Sequence, residues 1–184
     1  RAGKVLKFGG TSVGNAEAIR RVGGIIERSL PDQPLIVSSA VGGITNRLFR
    51  MVDLAVDGDN WRSEYDALVG VHHDILGGLN LAAEILTPLF GELEDLVRGI
   101  SLIRECTPRL ADHLVSFGER LAVRILAAHL SSIGTPATAF DSFDVGLITD
   151  GRFGGARPLA DVEKRIRRAL AGVKEVPIVT GYIG

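Results

Sequence analysis

Short apolar runs alternate with amphipathic stretches along this chain, and most of the runs end in small, polar residues. Val5-Leu6-Lys7-Phe8 has the length of a strand and breaks at once into Gly9-Gly10-Thr11-Ser12. Leu35-Ile36-Val37 follows a turn bounded by Pro31 and Pro34, and runs out into Ser38-Ser39-Ala40-Val41-Gly42-Gly43. Residues 136–140 and 176–180 read as two further strands, with a short extended piece at 146–149 and a glycine-bearing loop at 150–156. Between the first two strands, Ile19, Val22, Gly23 and Ile26 recur at helical spacing behind Asn15, a favourable N-cap. Leu48, Met51, Val52 and Ala55 predict another helix, stopped near Asp57-Gly58. Residues 61–130 read as almost wholly helical, in three stripes. Trp61, Tyr65, Leu68, Ile75, Leu76 and Leu79 form the first; Leu89, Leu93, Leu96, Val97 and Ile100 form the second. Leu110, Leu114, Leu121 and Ile125 form the third, which closes at Gly134. A basic helix covers about 161–171.

Strands alternating with helices specify an α/β fold, a mostly parallel sheet with helices on both faces. Ligands of such sheets sit at the carboxyl ends of the strands. Here those ends are small, polar and flexible, as a ligand crevice requires. The helical block at 61–107 is too long for a simple crossover and is expected to form an added helical hairpin. The sheet is expected to end in an exposed edge at the last strand, 176–180, where another chain could pair with it.

Composition narrows the function classes. The chain has 184 residues, one ordinary domain's worth, and 46 % are hydrophobic, enough for a sizeable core. A formal net charge of −1 gives no reason to expect a nucleic-acid or membrane partner. Cys106 is the single cysteine, which excludes an internal disulfide and fits a cytoplasmic location. No apolar run approaches the roughly 18 residues of a membrane-spanning helix.

The candidate chemistry centres on the first strand. Two glycines after a strand let the backbone approach a ligand and present its N–H groups, and a helix starting just beyond adds its positive end. Together these make an anion site, with phosphate the usual occupant. Lys7 adds a mobile positive charge at the same place. Buried without a partner, it would cost several kcal/mol or lose its proton; a phosphate would remove that difficulty. The alternative is a solvent-facing Lys7 on an edge strand, with Gly9-Gly10 a plain turn. Neither G-x-x-x-x-G-K-[ST] nor G-x-G-x-x-G follows the first strand, and no H-R-D or D-F-G pattern occurs. His72, His73 and His113 lack companions at zinc spacing and are expected to serve helix packing or the surface.

The blocks "KFGGTSVGNAEAIRRV", "VSSAVGGITNRL", "HLVSFGERLA", "ITDGRFGGARPL" and "VPIVTGYIG" stand in this order over essentially the whole chain. Together they resemble the aspartokinases of the amino-acid kinase superfamily. The resemblance implies a three-layer αβα sandwich and ATP-dependent phosphorylation of the aspartate β-carboxylate, with Mg²⁺ held mainly through the phosphates. Its implied partners are L-aspartate, ATP and further copies of the chain. It implies that Lys7 reaches the ATP phosphates while Gly9, Gly10, Thr11 and Ser12 cradle them. Glu119 would meet the substrate ammonium, Ser39 and Thr45 would supply hydroxyl contacts, and Arg152-Phe153-Gly154 would form a loop beside the amino acid. Without the family, Glu119 beside Arg120 reads as a solvated helix residue, Thr45 as a helix cap and Arg152 as a plain loop charge.

Aspartokinases also carry a Gly-Arg-Gly-Gly-Ser-Asp block, a Thr-Asp-Val-Asp-Gly-Val-Tyr-like block and regulatory ACT domains, none of which is in this sequence. The arginine that pairs with the substrate α-carboxylate is likewise expected beyond residue 184. The chain is therefore expected to be the N-terminal portion of a catalytic domain and inactive alone. Its 61–107 block resembles the longer aspartokinases, including lysine-sensitive and homoserine-dehydrogenase-fused forms. The competing readings are a kinase of another amino acid or carbamate, which "SFGE" argues against, and a non-catalytic oligomerising domain.

Overall fold

The computed structural model describes residues 3–150 and 157–181. Strands β1 (Lys4–Phe8), β2 (Pro34–Ser38), β3 (Ala137–Phe140) and β4 (Val176–Thr180) form one parallel sheet in the order β1-β2-β4-β3. The last strand is therefore interior, and the edges belong to β1 and β3, contrary to the expectation of an edge at 176–180. The reason lies in β4 itself: four of its five residues are buried, as a central strand of a parallel sheet requires. Pro177, which has no N–H to give, falls where β4 has not yet met β2, whose pairing starts at Ile178.

The helices are α1 (Ala16–Ser29), α2 (Ile44–Asp57), α3 (Arg62–Gly78), α4 (Thr87–Ile103), α5 (Pro108–Ser132) and α6 (Val162–Leu170). Their ends follow the local chemistry. The Asn15 side chain accepts from the Ala18 N–H at 2.8 Å, and Thr107 caps α5 by accepting from Leu110 at 3.3 Å. Gly58 closes α2 with φ 79°, a left-handed conformation that suits glycine. The extended piece expected at 146–149 begins with a turn residue, Gly146; after it the chain pairs antiparallel with 157–159 through one bridge, Thr149 to Pro158, outside the main sheet.

One sheet face builds the core. Leu6, Phe8, Ile36, Val176 and Ile178 pack with α1, α2 and α5 into a single apolar cluster. Helix α5 lies across β2, β3 and β4, and also against α1, α2 and α4, so its middle turns are buried all round. Helix α6 links β3 back to β4, and the right-handed crossover rule assigns such a reversed connection to the opposite face. On edge strand β1 only alternate residues are covered: Val5 is 61 % exposed and Lys7 is exposed. The lysine thus interrupts a half-buried strand, and the burial cost raised by a fully buried strand does not arise.

The 61–107 block is two helices and a short 3₁₀ turn. Helix α3 packs on α2 and α1, whereas α4 packs on α2 and α5. They touch through side chains: Tyr65 Oη–H donates to the Phe90 carbonyl at 3.0 Å, Arg62 pairs with Glu94 at 2.9 Å, and the rings of His72 and His73 meet Phe90 edge-on. His72 is fully buried there, in the helix-packing role the sequence suggested.

Candidate active site

A cavity of about 410 Å³ opens at the carboxyl ends of β1, β2 and β4. It brings together Lys7, Gly10, Ser39, Thr45 and Glu119, residues separated by as many as 112 positions in the chain.

Each is placed by a local feature. Lys7 is the penultimate residue of β1, on its uncovered face. Gly10 opens a 3₁₀ turn, Gly10–Val13, whose leading amides have no acceptor within the turn. A Cβ at Gly10 would stand 2.9 Å from the Ala40 carbonyl oxygen and 3.2 Å from the Gly42 Cα, so this glycine is required by the approach of the two loops. The Gly42 N–H donates to the Gly10 carbonyl at 3.1 Å, and the Ser39 N–H donates to the Phe8 carbonyl at 3.0 Å. A Cβ at Gly9, by contrast, would meet open space. Gly9, Thr11 and Ser12 flank the cavity without lining it. The positive end of α1 is not directly behind Gly10, because the 3₁₀ turn intervenes and Asn15 caps the helix itself.

Thr45 is the second residue of α2, whose N-cap is Gly43 at φ 83° with no side-chain cap. The helix-cap reading of Thr45 therefore falls, and the residue lines the cavity instead. Glu119 is only 7 % exposed, so it is not a solvated surface glutamate. Gly118 explains its position. A Cβ there would stand 2.8 Å from the Ala40 Cβ and 3.3 Å from Ile44 Cγ2. Glycine lets α5 lie directly against the loop after β2, which carries the next residue to the cavity wall. Across the cavity, Gly181 follows the end of β4, and a Cβ there would come 3.7 Å from Glu119 Oε1. Arg152, Phe153 and Gly154 lie outside the described residues.

Sequence reasoning missed Phe49, Val115, Ser116 and Gly181, which also line the cavity. Phe49 had a signal. It lies one turn beyond Thr45, off the Leu48-Met51-Val52-Ala55 stripe, and is 47 % exposed. Among the described residues no group of three or more His, Cys, Asp or Glu could hold a metal ion. A second cavity of similar size lies at the opposite end of the sheet, around Gln33, Pro34, Lys174 and Pro177, and contains none of the predicted residues.

The lining carries one ammonium, one carboxylate, three hydroxyls and a glycine turn. Such a set can meet a ligand ammonium with the carboxylate and a ligand anion with the ammonium and the turn's amides.

Comparison with known proteins gives the chain's relatives. The chain is 36 % identical to aspartokinase 1, chloroplastic, of Arabidopsis thaliana over 188 residues, covering 98 % of this chain and 33 % of that protein. It is 37 % identical to aspartokinase 2, chloroplastic, of the same plant, covering 98 % and 35 %. The chain thus spans about a third of the length of these relatives. Among solved structures, E. coli aspartokinase III in complex with aspartate and ADP matches with a TM-score of 0.80 at 29 % identity, over 97 % of this chain and 40 % of that one. A profile described as the amino acid kinase family matches residues 3–184, and the chain belongs to that family.

Proposed function

We propose that this chain forms the aspartate-binding, phosphate-facing part of an aspartate kinase, which converts L-aspartate and ATP to 4-phospho-L-aspartate and ADP. The observation that carries the reading is the meeting of Lys7 and Glu119 at one strand-end cavity. The E. coli relative of the same fold is described with aspartate and ADP bound.

The chemistry asks for positioning more than for proton transfer. The β-carboxylate of aspartate, with an ordinary pKa of about 3.9, is already an anion at neutral pH and needs no general base. One of its oxygens attacks the γ-phosphorus, the bond from that phosphorus to the β,γ-bridging oxygen breaks, and ADP leaves with the electron pair. Two anions must be brought together in line, with their repulsion offset by fixed positive charge. Lys7 supplies that charge, and the Gly9–Ser12 turn supplies amides toward the phosphates. Glu119 pairs with the substrate ammonium, and Ser39 and Thr45 hold its polar atoms. Arg152-Phe153-Gly154 remain proposed as a loop beside the amino acid. Magnesium would arrive with the nucleotide and be held through its phosphates, since Glu119 is the only acidic side chain among the described lining residues.

The reaction would open the route to lysine, threonine and methionine. Because the chain spans about a third of its relatives, the 184 residues alone are expected to lack activity. Among the described residues no helix is long and apolar enough to cross a membrane. Both plant relatives are named chloroplastic, so the features that fit a cytoplasmic protein fit a reducing organelle equally. Self-association is proposed from the edge strand β1 with its exposed Val5.

The test is to incubate the whole protein to which the chain belongs with ATP, Mg²⁺ and aspartate, and to trap the acyl phosphate with hydroxylamine. Aspartyl hydroxamate is expected. Product only with another amino acid or carbamate, or none with any acceptor, overturns the reading.

A further inference from the structure

The residue after Glu119 belongs to a buried charge cluster that the reaction does not use. Asp141, in the turn after β3, is 3 % exposed and takes two arginines from α5. Arg120 Nε donates to its Oδ2 at 3.0 Å, and Arg124 Nη1 donates to its Oδ1 at 2.7 Å. Arg120 also reaches both oxygens of Glu92 on α4, at 3.1 and 3.3 Å, and its guanidinium lies 4.4 Å from the centre of the Phe117 ring. Arg120 is thus held by two carboxylates and a ring face.

The same turn holds the other side of the cavity. The Ser142 N–H donates to Thr180 Oγ1 at 2.8 Å, and Thr180 is the last residue of β4, next to Gly181. One turn after β3 thus grips both α5 and the end of β4, the two elements that meet around the Glu119 carboxylate.

We infer that Asp141, through Arg120 and Arg124, is a positioning residue for Glu119. Successive residues of an α-helix are separated by about 100°, so fixing the direction of Arg120 fixes that of Glu119. Buried ion pairs are poor stabilisers relative to apolar residues of the same volume, because desolvation offsets their attraction. Their geometry is nonetheless strict, since arginine's planar fork meets a carboxylate in few orientations. A helix that only needed to be packed could use leucines here. A helix that must present a carboxylate at one angle gains from a clamp.

The inference rests on the aspartokinase reading, and the experiment separates the two. Asp141→Asn is made in the whole protein, in the wild-type and in the Glu119→Gln background. Arg124→Gln, which removes only the more exposed arm, is made in the same two backgrounds in case Asp141→Asn does not fold. Thermal melts establish which variants are folded. In the wild-type background kcat/KM for aspartate is expected to fall about tenfold, within the range of coupling between contacting residues, while KM for ATP stays within about twofold. In the Glu119→Gln background the same substitution is expected to add almost nothing, because the group being positioned is gone. Equal losses in the two backgrounds, or equal losses for aspartate and ATP, overturn the positioning role and leave the aspartokinase reading intact. A wild-type protein that does not phosphorylate aspartate removes both.

Discussion

Lys7 and Glu119 have opposite charges and opposite surroundings, and their surroundings decide what each can do. Lys7 is exposed on an edge strand at the mouth of the cavity, where the proposed role has it reach a phosphate. Removing one preorganised charge from a transition state typically costs about 10²–10³-fold in kcat. Lys7→Met in the whole protein is expected to lower kcat by that factor with the fold intact, since an exposed methionine disturbs no packing. Steady-state kinetics with aspartate and ATP check it, and a near-normal kcat would remove Lys7 from the site. Glu119 is buried at the cavity wall, and the proposed role pairs it with the substrate ammonium. Hydrogen bonds to charged groups are worth about 1.5–3 kcal/mol, and each 1.4 kcal/mol is a factor of about ten. Glu119→Ala should therefore weaken aspartate use by roughly 10–200-fold and leave KM for ATP almost unchanged. Equal losses for both substrates would point to a folding defect instead. The sequence marked Lys7, Gly10, Ser39, Thr45 and Glu119 because each follows a strand or sits in a distinctive block. Ser116 went unmarked, since nothing local distinguishes a cavity-lining hydroxyl from a packed one, and Phe49 carried only its place off the apolar stripe of α2.

At the scale of elements, Gly118 governs how close α5 comes to the loop after β2. Alanine is the better helix former by about 0.8–1 kcal/mol, so on an isolated helix Gly118→Ala would stabilise. In this fold its Cβ would stand 2.8 Å from the Ala40 Cβ, well inside contact distance. Overpacking of this kind typically costs about 1–3 kcal/mol, more than the propensity gain. The variant is expected to melt a few degrees lower, at about 2–4 °C per kcal/mol for a protein of this size, and to lose aspartate affinity as α5 is displaced. An unchanged melting temperature with unchanged kinetics would show that the contact has slack. The element boundaries themselves were largely readable, because caps and breakers are local: Asn15, Gly58 and Gly134 each mark a helix end. The partner of residues 147–149 was not, since an apolar run of strand length looks the same whether it joins the main sheet or makes one antiparallel bridge outside it.

Over the whole molecule, two buried histidines set the behaviour in acid. Burial lowers the pKa of His72, whose Nδ1 faces the Leu68 carbonyl at 2.7 Å and whose Nε2 has no partner. Burial, and then the charge of Arg20, lower that of His129, with Glu27 opposing. Unfolded histidines take up protons near pH 6.5, while the folded rings resist to lower pH. Below that value the unfolded state binds more protons, so stability falls as the pH falls, until the lowered folded values are reached. Urea unfolding at pH 7.5 and 5.5 is expected to show a lower midpoint in acid, and a smaller drop in a His72→Gln, His129→Gln variant. An equal drop in that variant would assign the effect to other groups. The 184 residues by themselves, given ATP, Mg²⁺ and aspartate, are expected to yield no aspartyl hydroxamate; hydroxamate from the pure chain would show that this third of the relatives' length is sufficient.

The alternation of strand and helix, the small residues at strand ends and the five blocks around Lys7 and Glu119 were determined by the sequence alone, because they depend on neighbours within a few positions. The order of the strands was not, and β4 proved central where the chain suggested an edge. Strand order is fixed by which faces find cover, a property of the assembled layers. The exposure of Lys7, the burial of Glu119 and the clamp of Asp141 on Arg120, 21 positions away, were likewise decided only in three dimensions. A charged side chain carries no local sign of whether it will meet water, a ligand or another charge; only the packing of α5 against the sheet, α2 and α4 settles which.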